Sequence, residues 1–361
     1  MKQRTRERVH ADLVRLSGAK LDLAPLTDEA GRLIEQAIPF EGGCWHTMDP
    51  ATLIETSVRT VNLPPHEERI TEYEYLHRDY NKFVQLARSP RHSGVLSEAT
   101  AGDLHRSARY REFIQPAGLL GELRTSFVVD GTCWGSSAFF RAAPTDFTTE
   151  ERDFAHDLAA TLGRSFRTAL IHAASTPTAA LFGPGLILLD DGCHVESFTE
   201  PARSWLAELG FTGEPNQESL PHALLAVAQR ARAAAADAVA RVPGASGHWI
   251  VLHASAASGT QSGRVAVILQ SATPASIAPL IAAAYGLTKR ERELTELILQ
   301  GHVTGDIAAR LLLSPHTVQE HLKSIFTKTG VRSRRELVGT VFMRHYQPRL
   351  QSTGTEPARI I

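Results

Sequence analysis

The chain has 361 residues, of which 43% are hydrophobic and 21% charged, and its formal net charge is -1. This length exceeds one typical core of about 150 residues, so two or three domains are expected, and the composition excludes a wholly disordered chain. The charge is uneven, because residues 286–345 hold ten Lys or Arg against six acidic residues, a net +4. Residues 1–285 carry a net -6, and a basic block at the end of such an acidic body suits contact with a polyanion through that end alone.

Localisation and redox state are inferred from the start of the chain and its cysteines. The charged segment MKQRTRERVH is followed by no apolar signal region, and no run approaches the roughly 20 apolar residues that a membrane-spanning helix needs. We therefore expect a cytoplasmic protein without membrane contact. Cys44, Cys133 and Cys193 are distant in sequence and form no CxxC motif, so they are interpreted as reduced core thiols.

The first 173 residues show helical periodicity at both ends and strand signals between them. The pattern predicts helices over residues 6–37, strands over 43–47 and 52–60, short helices within 66–113, strands over 123–129 and 132–140, and a closing helix over about 148–172. Asp130-Gly131 is the strongest hairpin signal, because these residues readily take the positive φ of a tight turn. This order predicts an α+β domain over residues 1–173.

A second, smaller α+β domain is predicted over residues 185–272, between linkers at 174–184 and 273–283. Its predicted elements are strands over 186–189 and 194–198, an alanine-rich helix over 223–242, and strands over 247–254 and 263–269. No internal repeat of fixed period is evident, which argues against a solenoid.

Residues 284–345 are predicted to form an all-α domain of four helices, followed by a tail at 346–361. Capping signals mark three of the helices, namely Thr288 with Glu291, Ser314 before Pro315, and Ser333 with Glu336. The second helix is less well specified, because Val303 cannot cap it and Gly305 lies inside it. Either Thr304 caps this helix, or the helix is weak until DNA or a dimer partner orders it.

This segment resembles the LuxR-type helix-turn-helix family, which includes the output domains of NarL-like response regulators. The residues that carry the resemblance are Leu287-Thr288-x-Arg290-Glu291, Gly301, Ile307-Ala308, Leu311, Ser314-Pro315-x-Thr317-Val318, His321-Leu322, Ile325, Lys328, Gly330-Val331 and Ser333-Arg334. It covers about one sixth of the chain. The resemblance implies that the third helix enters the major groove of DNA and that the fourth supplies a dimer contact.

The resemblance also assigns individual residues. Gln319, Glu320 and Lys323 match base-facing positions, and their chemistry suits adenine, cytosine N4 and guanine respectively. The phosphate contacts implied are Thr304, Thr317, His321, Lys328 and Arg334, and the dimer helix carries Val338, Val341 and Phe342. Alternatives stay open: a solvated helix face for the base-facing residues, an ion pair within the domain for Lys328 and Arg334, and packing at the helix edge for His321.

The N-terminal regions carry looser resemblances. Residues 1–173 resemble a GAF-type sensor domain, with Cys133-Trp134-Gly135 as the best local match, and residues 185–272 resemble a PAS-like fold. Both families often bind small molecules beside an antiparallel sheet, so the resemblance implies sensing of an unidentified effector.

Motifs for catalysis and metal binding are missing from the sequence. Cys44 and His46 share one face of a predicted strand but supply only two ligands, and there is no nucleophile elbow, HExxH or phosphate loop. We expect no enzyme activity, no metal and no cofactor.

The leading hypothesis is a dimeric, ligand-responsive transcription regulator that binds double-stranded DNA. The alternative is a regulator controlled by protein–protein contacts of the GAF-like and PAS-like domains, without a small ligand. A cavity with converging polar groups in residues 40–140 would favour sensing, and a filled core would favour the alternative. A catalytic relative would need a polar cluster in that cavity, which the sequence does not reveal.

Overall fold

The computed structural model describes residues 3–19, 21–63, 70–173, 182–215, 220–258, 263–273, 276–277, 280 and 283–338. It contains two five-stranded antiparallel sheets, one within residues 42–142 and one within residues 185–271, and a helical region within residues 289–338. The predicted multidomain class, α+β regions followed by an all-α domain, is confirmed. In the described part of the chain no helix is both long and apolar enough to cross a membrane.

The first domain contains the predicted order of helix, strand pair, helical middle, hairpin and long closing helix. Its elements are α1 (Gln3–Gly18), α2 (Leu23–Glu35), β1 (Gly42–Met48), β2 (Glu55–Val61), α3 (Ile70–Tyr75), α4 (Phe83–Arg88), β3 (Ser93–Val95), α5 (Leu96–Ala99), a 3₁₀ turn (Leu104–Arg106), a π-helical turn (Tyr110–Ile114), β4 (Leu119–Val129), β5 (Thr132–Ala142) and α6 (Thr149–Ala173). The β4–β5 turn is built as predicted, with φ of 51° at Asp130 and 71° at Gly131. The short strand β3 was missed by the sequence pattern.

The two faces of the first sheet have different roles. The sheet has the order β2-β1-β5-β4-β3, and α1, α2 and α6 pack on one face. Trp45, Phe127 and Phe166 are buried in that apolar layer. Because side chains alternate along a strand, Cys44 and His46 lie on the opposite face from Trp45, as the sequence predicted for this pair. This second face forms the wall of a cavity.

The second sheet repeats the strand order of the first. The elements of this region are β6 (Gly185–Leu189), β7 (Val195–Phe198), α7 (Glu200–Glu208), α8 (His222–Ala234), β8 (Ala238–Pro243), β9 (Trp249–Ala256) and β10 (Val265–Ser271). Its order, β7-β6-β10-β9-β8, equals that of the first sheet when each is numbered from its own first strand. The two regions therefore share a topology that no sequence repeat revealed.

The predicted helix over 223–242 is wrong in its second half. Helix α8 ends at Ala234, Ala235 takes a left-handed conformation with φ of 47°, and β8 follows as an edge strand paired with β9. Alternate residues of β8 are buried, starting with Ala238 and Ala240. Alanine favours a helix intrinsically, but backbone pairing and burial against the sheet outweigh that preference here. Helix α7 was not predicted.

The C-terminal helices are α9 (Lys289–Leu299), α10 (Thr304–Leu311) and α11 (Pro315–Thr329), and residues 334–338 begin a fourth helix. Leu287, Leu294 and Ile298 share one buried cluster with Trp249 and Val251 of β9. The helical domain is thus packed against the second domain through an apolar contact.

Candidate nucleic-acid interface and sensor cavity

Two of the three predicted capping signals of the helical domain are formed. The Glu291 amide donates to Thr288 Oγ1 while the Thr288 amide donates to Glu291 Oε2, which is a complete capping box. At α11 the Thr317 amide donates to Ser314 Oγ at 3.0 Å, and Pro315 occupies the first helical position. These contacts fix where the third helix begins.

The third capping signal is only half formed. The Glu336 amide donates to Ser333 Oγ at 3.1 Å. The Glu336 carboxylate, however, accepts from the amide of Arg332 at 2.8 Å, one residue earlier than a capping box requires. Ser333 still begins the fourth helix.

Helix α10 starts without a side-chain cap. Val303 occupies the capping position with an extended backbone, and Thr304 is the first helical residue, so Thr304 does not take over as the cap. The turn into α11 passes through Leu312, which is left-handed (φ 53°) and 92% exposed. A β-carbon in this conformation costs free energy, so the turn depends on the packing of the helices on either side.

Helix α11 has one buried face and one exposed polar face. Val318, Leu322 and Ile325 are buried. The three predicted base contacts, Gln319, Glu320 and Lys323, are all exposed. Lys323 Nζ donates to Glu320 Oε1 at 2.8 Å, and this hydrogen bond lowers the pKa of Glu320. The structure brings the three side chains together on one accessible surface.

The predicted phosphate contacts lie in mixed surroundings. Thr304, Thr317, His321 and Arg334 are half-buried and Lys328 is exposed. Lys328 Nζ donates to Glu291 Oε2 at 2.7 Å, which is the intradomain ion pair considered as the alternative for this lysine.

Glu291 has a larger role than the sequence indicated. Its carboxylate accepts from Lys328 Nζ, from Ser324 Oγ at 2.6 Å and from the Thr288 amide at 2.7 Å. Burial alone would raise the pKa of Glu291, but these hydrogen bonds outweigh it and hold the pKa at about 2. The same side chain therefore caps α9 and fixes α11, a link that spacing along the chain could not reveal.

The predicted dimer helix is only partly described. Leu337 is buried and Val338 is exposed. Val341 and Phe342 lie outside the described residues, so their role stays a prediction.

Capped helices, a tight turn and an exposed polar third helix define a helix-turn-helix DNA-binding domain. Residues 286–341 match the family model described as bacterial regulatory proteins, luxR family. The spore germination protein GerE of Bacillus subtilis is 44% identical over 52 residues, which cover 14% of this chain and 70% of GerE. The chain belongs to the LuxR family of bacterial regulatory proteins.

Two further relatives match over similar lengths. The transcriptional regulatory protein UhpA of Escherichia coli K12 is 45% identical over 56 residues, or 16% of this chain and 29% of UhpA. An HTH-type transcriptional regulator of Mycobacterium tuberculosis is 46% identical over 52 residues, but this chain spans only 6% of its length. Each of these alignments spans about one seventh of this chain.

Solved structures give lower similarity over longer spans. The crystal structure of E. coli SdiA covers 94% of this chain and 96% of SdiA, with 12% identity and a TM-score of 0.32. The nlh2 GAF domain of A. aeolicus covers 45% of this chain and 96% of that domain, with 10% identity and a TM-score of 0.29.

The first domain contains a cavity of about 280 Å³ on the face of its sheet opposite α6. Its apolar wall consists of Cys44, Leu63, Ile70, Phe113, Ile114, Pro116, Ala117, Leu119, Ala138 and Phe140. Its polar wall consists of His46, Glu55, Thr60, Glu74, Arg109, Glu112, Glu122, Arg124 and His222. This polar cluster was not predicted, because its members are spread over much of the chain.

Two buried arginines organise the polar wall. Arg109 binds Glu122 with two hydrogen bonds of 2.8 and 2.9 Å, and its Nη1 lies 3.7 Å from Asp79. Arg124 Nη2 lies 3.0 Å from Glu74 Oε2. Each guanidinium is thus paired with carboxylates of the protein, as buried charges require.

The second domain closes one side of the cavity. His222, the first residue of α8, pairs through Nε2 with Glu55 Oε2 at 2.9 Å. Burial would raise the pKa of Glu55, but His46, His222 and Arg124 outweigh it and hold the pKa at about 2. Nearby, the buried Asp49 accepts from Arg241 Nη1 at 2.9 Å. Both contacts join the two α+β regions.

Cys44 lies on the apolar wall, and burial raises the pKa of its thiol to about 12. Cys44, Cys133 and Cys193 are buried, as predicted for core thiols. Within the described ranges, no group of three or more His, Cys, Asp or Glu side chains is arranged to hold a metal ion.

Proposed function

We propose that the protein is a dimeric, sequence-specific regulator of transcription that binds double-stranded DNA and responds to a small molecule. The observation that carries the DNA-binding part is the exposed polar face of α11, fixed by the Ser314 cap and by Glu291. A helix presented in this way fits the major groove, where base edges differ between base pairs. The proposal includes a cytoplasmic location and no enzyme activity.

Individual roles are assigned from the family resemblance and from position in the helical domain. Gln319, Glu320 and Lys323 contact bases, and Lys323 leaves Glu320 to do so. The phosphate backbone of the DNA is contacted by Thr304, Thr317, His321, Lys328 and Arg334. The helix that begins near residue 334 supplies Val338, Val341 and Phe342 to a dimer contact. The chain divides into three domains, over residues 1–173, 185–272 and 284–345. Linkers at 174–184 and 273–283 separate them, and a tail follows at 346–361.

The cavity supports sensing over control by protein contacts alone. A core that served only as a scaffold would be filled, because voids cost packing energy. A cavity with an apolar wall and converging polar groups is typical of a small-molecule site. The Cys44 thiol is protonated at neutral pH and is a poor nucleophile, which argues against a catalytic role for the cavity.

A packed route connects the cavity to the DNA-binding domain. His222 lines the cavity, α8 packs on β9, and Trp249 and Val251 of β9 contact the cluster that contains Leu294. Occupancy of the cavity would thus bias how the helix-turn-helix domain is held.

The test is recovery of genomic DNA fragments by the purified full-length protein at near-physiological salt. The wild type is compared with Gln319→Ala/Lys323→Ala, and with Lys289→Ala as a control that removes an exposed cation from α9. We expect a shared, partly palindromic site with the wild type and the control, and its loss with the double variant. Equal enrichment by all three would contradict base reading by α11, and no enrichment by the wild type would refute the regulator.

A further inference from the structure

The exposed face of α11 reaches further towards the start of the helix than the three proposed base contacts do. His316 is the second residue of α11 and is exposed, as Gln319, Glu320 and Lys323 are. The family resemblance assigned no role to this histidine. Its side chain is therefore an accessible group on the proposed DNA-reading helix that has no function yet.

The direction in which His316 points follows from the geometry of an α-helix. Successive residues advance by about 100° around the axis, so His316 points about 40° away from Glu320 and about 20° away from Lys323. The buried residues Val318 and Ile325 lie about 160° and about 180° from it, on the opposite side of the helix. His316 thus belongs to the same exposed stripe as Glu320 and Lys323.

The start of α11 fixes the backbone that carries His316. The Thr317 amide donates to Ser314 Oγ at 3.0 Å, and Ser314 Oγ lies 2.8 Å from Thr317 Oγ1. Pro315 occupies the first helical position, where its ring restricts φ to a helical value. The histidine is consequently held on an ordered turn before DNA binds, which reduces the entropy lost on binding.

His316 also influences the charge of Glu320. Lys323, whose Nζ lies 2.8 Å from Glu320 Oε1, is the main cause of the lowered pKa of Glu320, and His316 lowers it further through its charge. A carboxylate that faces DNA is repelled by the phosphates, so positive neighbours favour its approach. When Lys323 turns to a base, His316 is the other group that stabilises this carboxylate.

The chemistry of imidazole selects the base edge that His316 can recognise. A neutral imidazole ring donates through one nitrogen, and a protonated ring donates through both. In the major groove guanine presents two acceptors, N7 and O6, and no donor, whereas adenine presents a donor beside its acceptor. An N–H donor on the exposed stripe therefore suits guanine best. The N-terminal residues of the recognition helix are those that contact base edges in helix-turn-helix proteins.

We propose that His316 is a fourth base-reading residue, which donates from its imidazole ring to a guanine of the DNA site. The inference rests on the proposed binding of DNA by α11 and extends its reading surface to the first turn of the helix. His316 and Glu320 start about 6 Å apart along the helix axis, so they contact the same base pair or two that lie close together.

The experiment measures the preferred base at every position of the DNA site that the full-length protein recovers. All single-base variants of that site are titrated with the wild type, His316→Ala, His316→Gln and the control Lys289→Ala across a salt series. The wild type should prefer guanine at one position by about tenfold, and His316→Ala should lose that preference while it keeps the others. Lys289→Ala, which changes an exposed residue of α9, should keep all of them.

His316→Gln gives a readout that a merely structural role would not move. Glutamine pairs with N6 and N7 of adenine, so the preference at that one position should change from guanine to adenine. Both variants should keep the circular dichroism of the wild type, because His316 is exposed. Two variants are used so that the change of base decides the question even where one of them lowers stability.

Two results would overturn the inference. One is a set of base preferences that is unchanged in both variants. The other is a uniform loss of affinity for all sequences with a shallower salt slope, which would identify a phosphate contact. The proposed function fails separately. A wild type that enriches no DNA refutes the regulator and this inference with it, whereas a wild type with a specific site that His316→Ala reads identically refutes base reading by His316 alone.

Discussion

Lys323 stands on the exposed face of α11, held by a surface ion pair with Glu320. Such pairs contribute less than about 1 kcal/mol, so the lysine is available to DNA at little cost. If it reads a guanine, Lys323→Ala should lose about 1–3 kcal/mol of discrimination at one base pair. Binding to the recovered site and to its single-base variants, measured across a salt series, checks this.

Lys289→Ala is the matched control for the loss of charge, since Lys289 is exposed on α9. A uniform loss of affinity for all sequences in Lys323→Ala, with a salt slope reduced by about one, would instead identify a phosphate contact.

The cavity thiol is expected to be inert. Burial raises the pKa of Cys44 and of Cys133 to about 12 in each case, so at pH 8 roughly one molecule in ten thousand carries either thiolate. Iodoacetamide should label neither cysteine in the native protein over a time in which the unfolded protein reacts fully, as read by peptide mass spectrometry. Rapid labelling of native Cys44 would contradict the burial and reopen redox sensing.

At the scale of elements, Glu291 joins two helices with one carboxylate. Glu291→Gln retains a capping side chain but loses the charge opposite Lys328, and we expect a loss of about 2–3 kcal/mol in the stability of the helical domain. Denaturant unfolding followed by helix circular dichroism measures it. Glu293→Gln is the control, because Glu293 makes a partly exposed pair with Arg290 and should cost less than about 1 kcal/mol.

The Glu291 carboxylate should also make the stability of the helical domain depend on pH. Its pKa is about 2 in the folded protein against an ordinary value of 4.5, so its contribution is complete above pH 4.5 and disappears as pH falls towards 2. Stability of the wild type should fall across that window more steeply than stability of Glu291→Gln. Parallel curves for the two proteins would show that Glu291 is not the titrating group.

Local signals in the sequence were sufficient where a few neighbouring residues decide the structure. The Asp130-Gly131 hairpin and the Thr288 and Ser314 caps were predicted because turn and cap chemistry is local. The strand at Ala238–Pro243 was mistaken for helix because pairing with β9, which is not local, decides its conformation. Local signals mislead wherever such tertiary pairing outweighs intrinsic propensity.

The two candidate sites also differ in how far local sequence could predict them. The proposed DNA-reading face lies on one helix, so its three residues could be assigned from the resemblance of that one segment to the LuxR-type family. The cavity draws Glu55, Arg109 and His222 from three separate segments, and only the tertiary fold brings them together. The pairing of Glu291 with Lys328 was hidden for the same reason, since 37 residues separate them.

At the scale of the whole molecule, the Asp49–Arg241 pair is an ion pair across the junction between the two α+β regions. Asp49 is fully buried and accepts from both Nη1 and the backbone amide of Arg241. Arg241→Met should destabilise the protein by about 3–5 kcal/mol, because it leaves a buried carboxylate without its counter-ion. Arg264→Met, which removes a surface partner of Glu196, should cost less than about 1 kcal/mol.

The same variant tests whether the junction transmits a signal. Because the second domain contacts both the cavity and the helix-turn-helix domain, loosening it should change the affinity for the recovered DNA site in Arg241→Met and not in Arg264→Met. Hydrogen exchange in β8 should rise in Arg241→Met and not in Arg264→Met. If Arg241→Met binds this DNA site as the wild type does, the junction only holds the domains together, and the signal must pass through another contact, such as Ala283 and Ala284 against the core of the first domain.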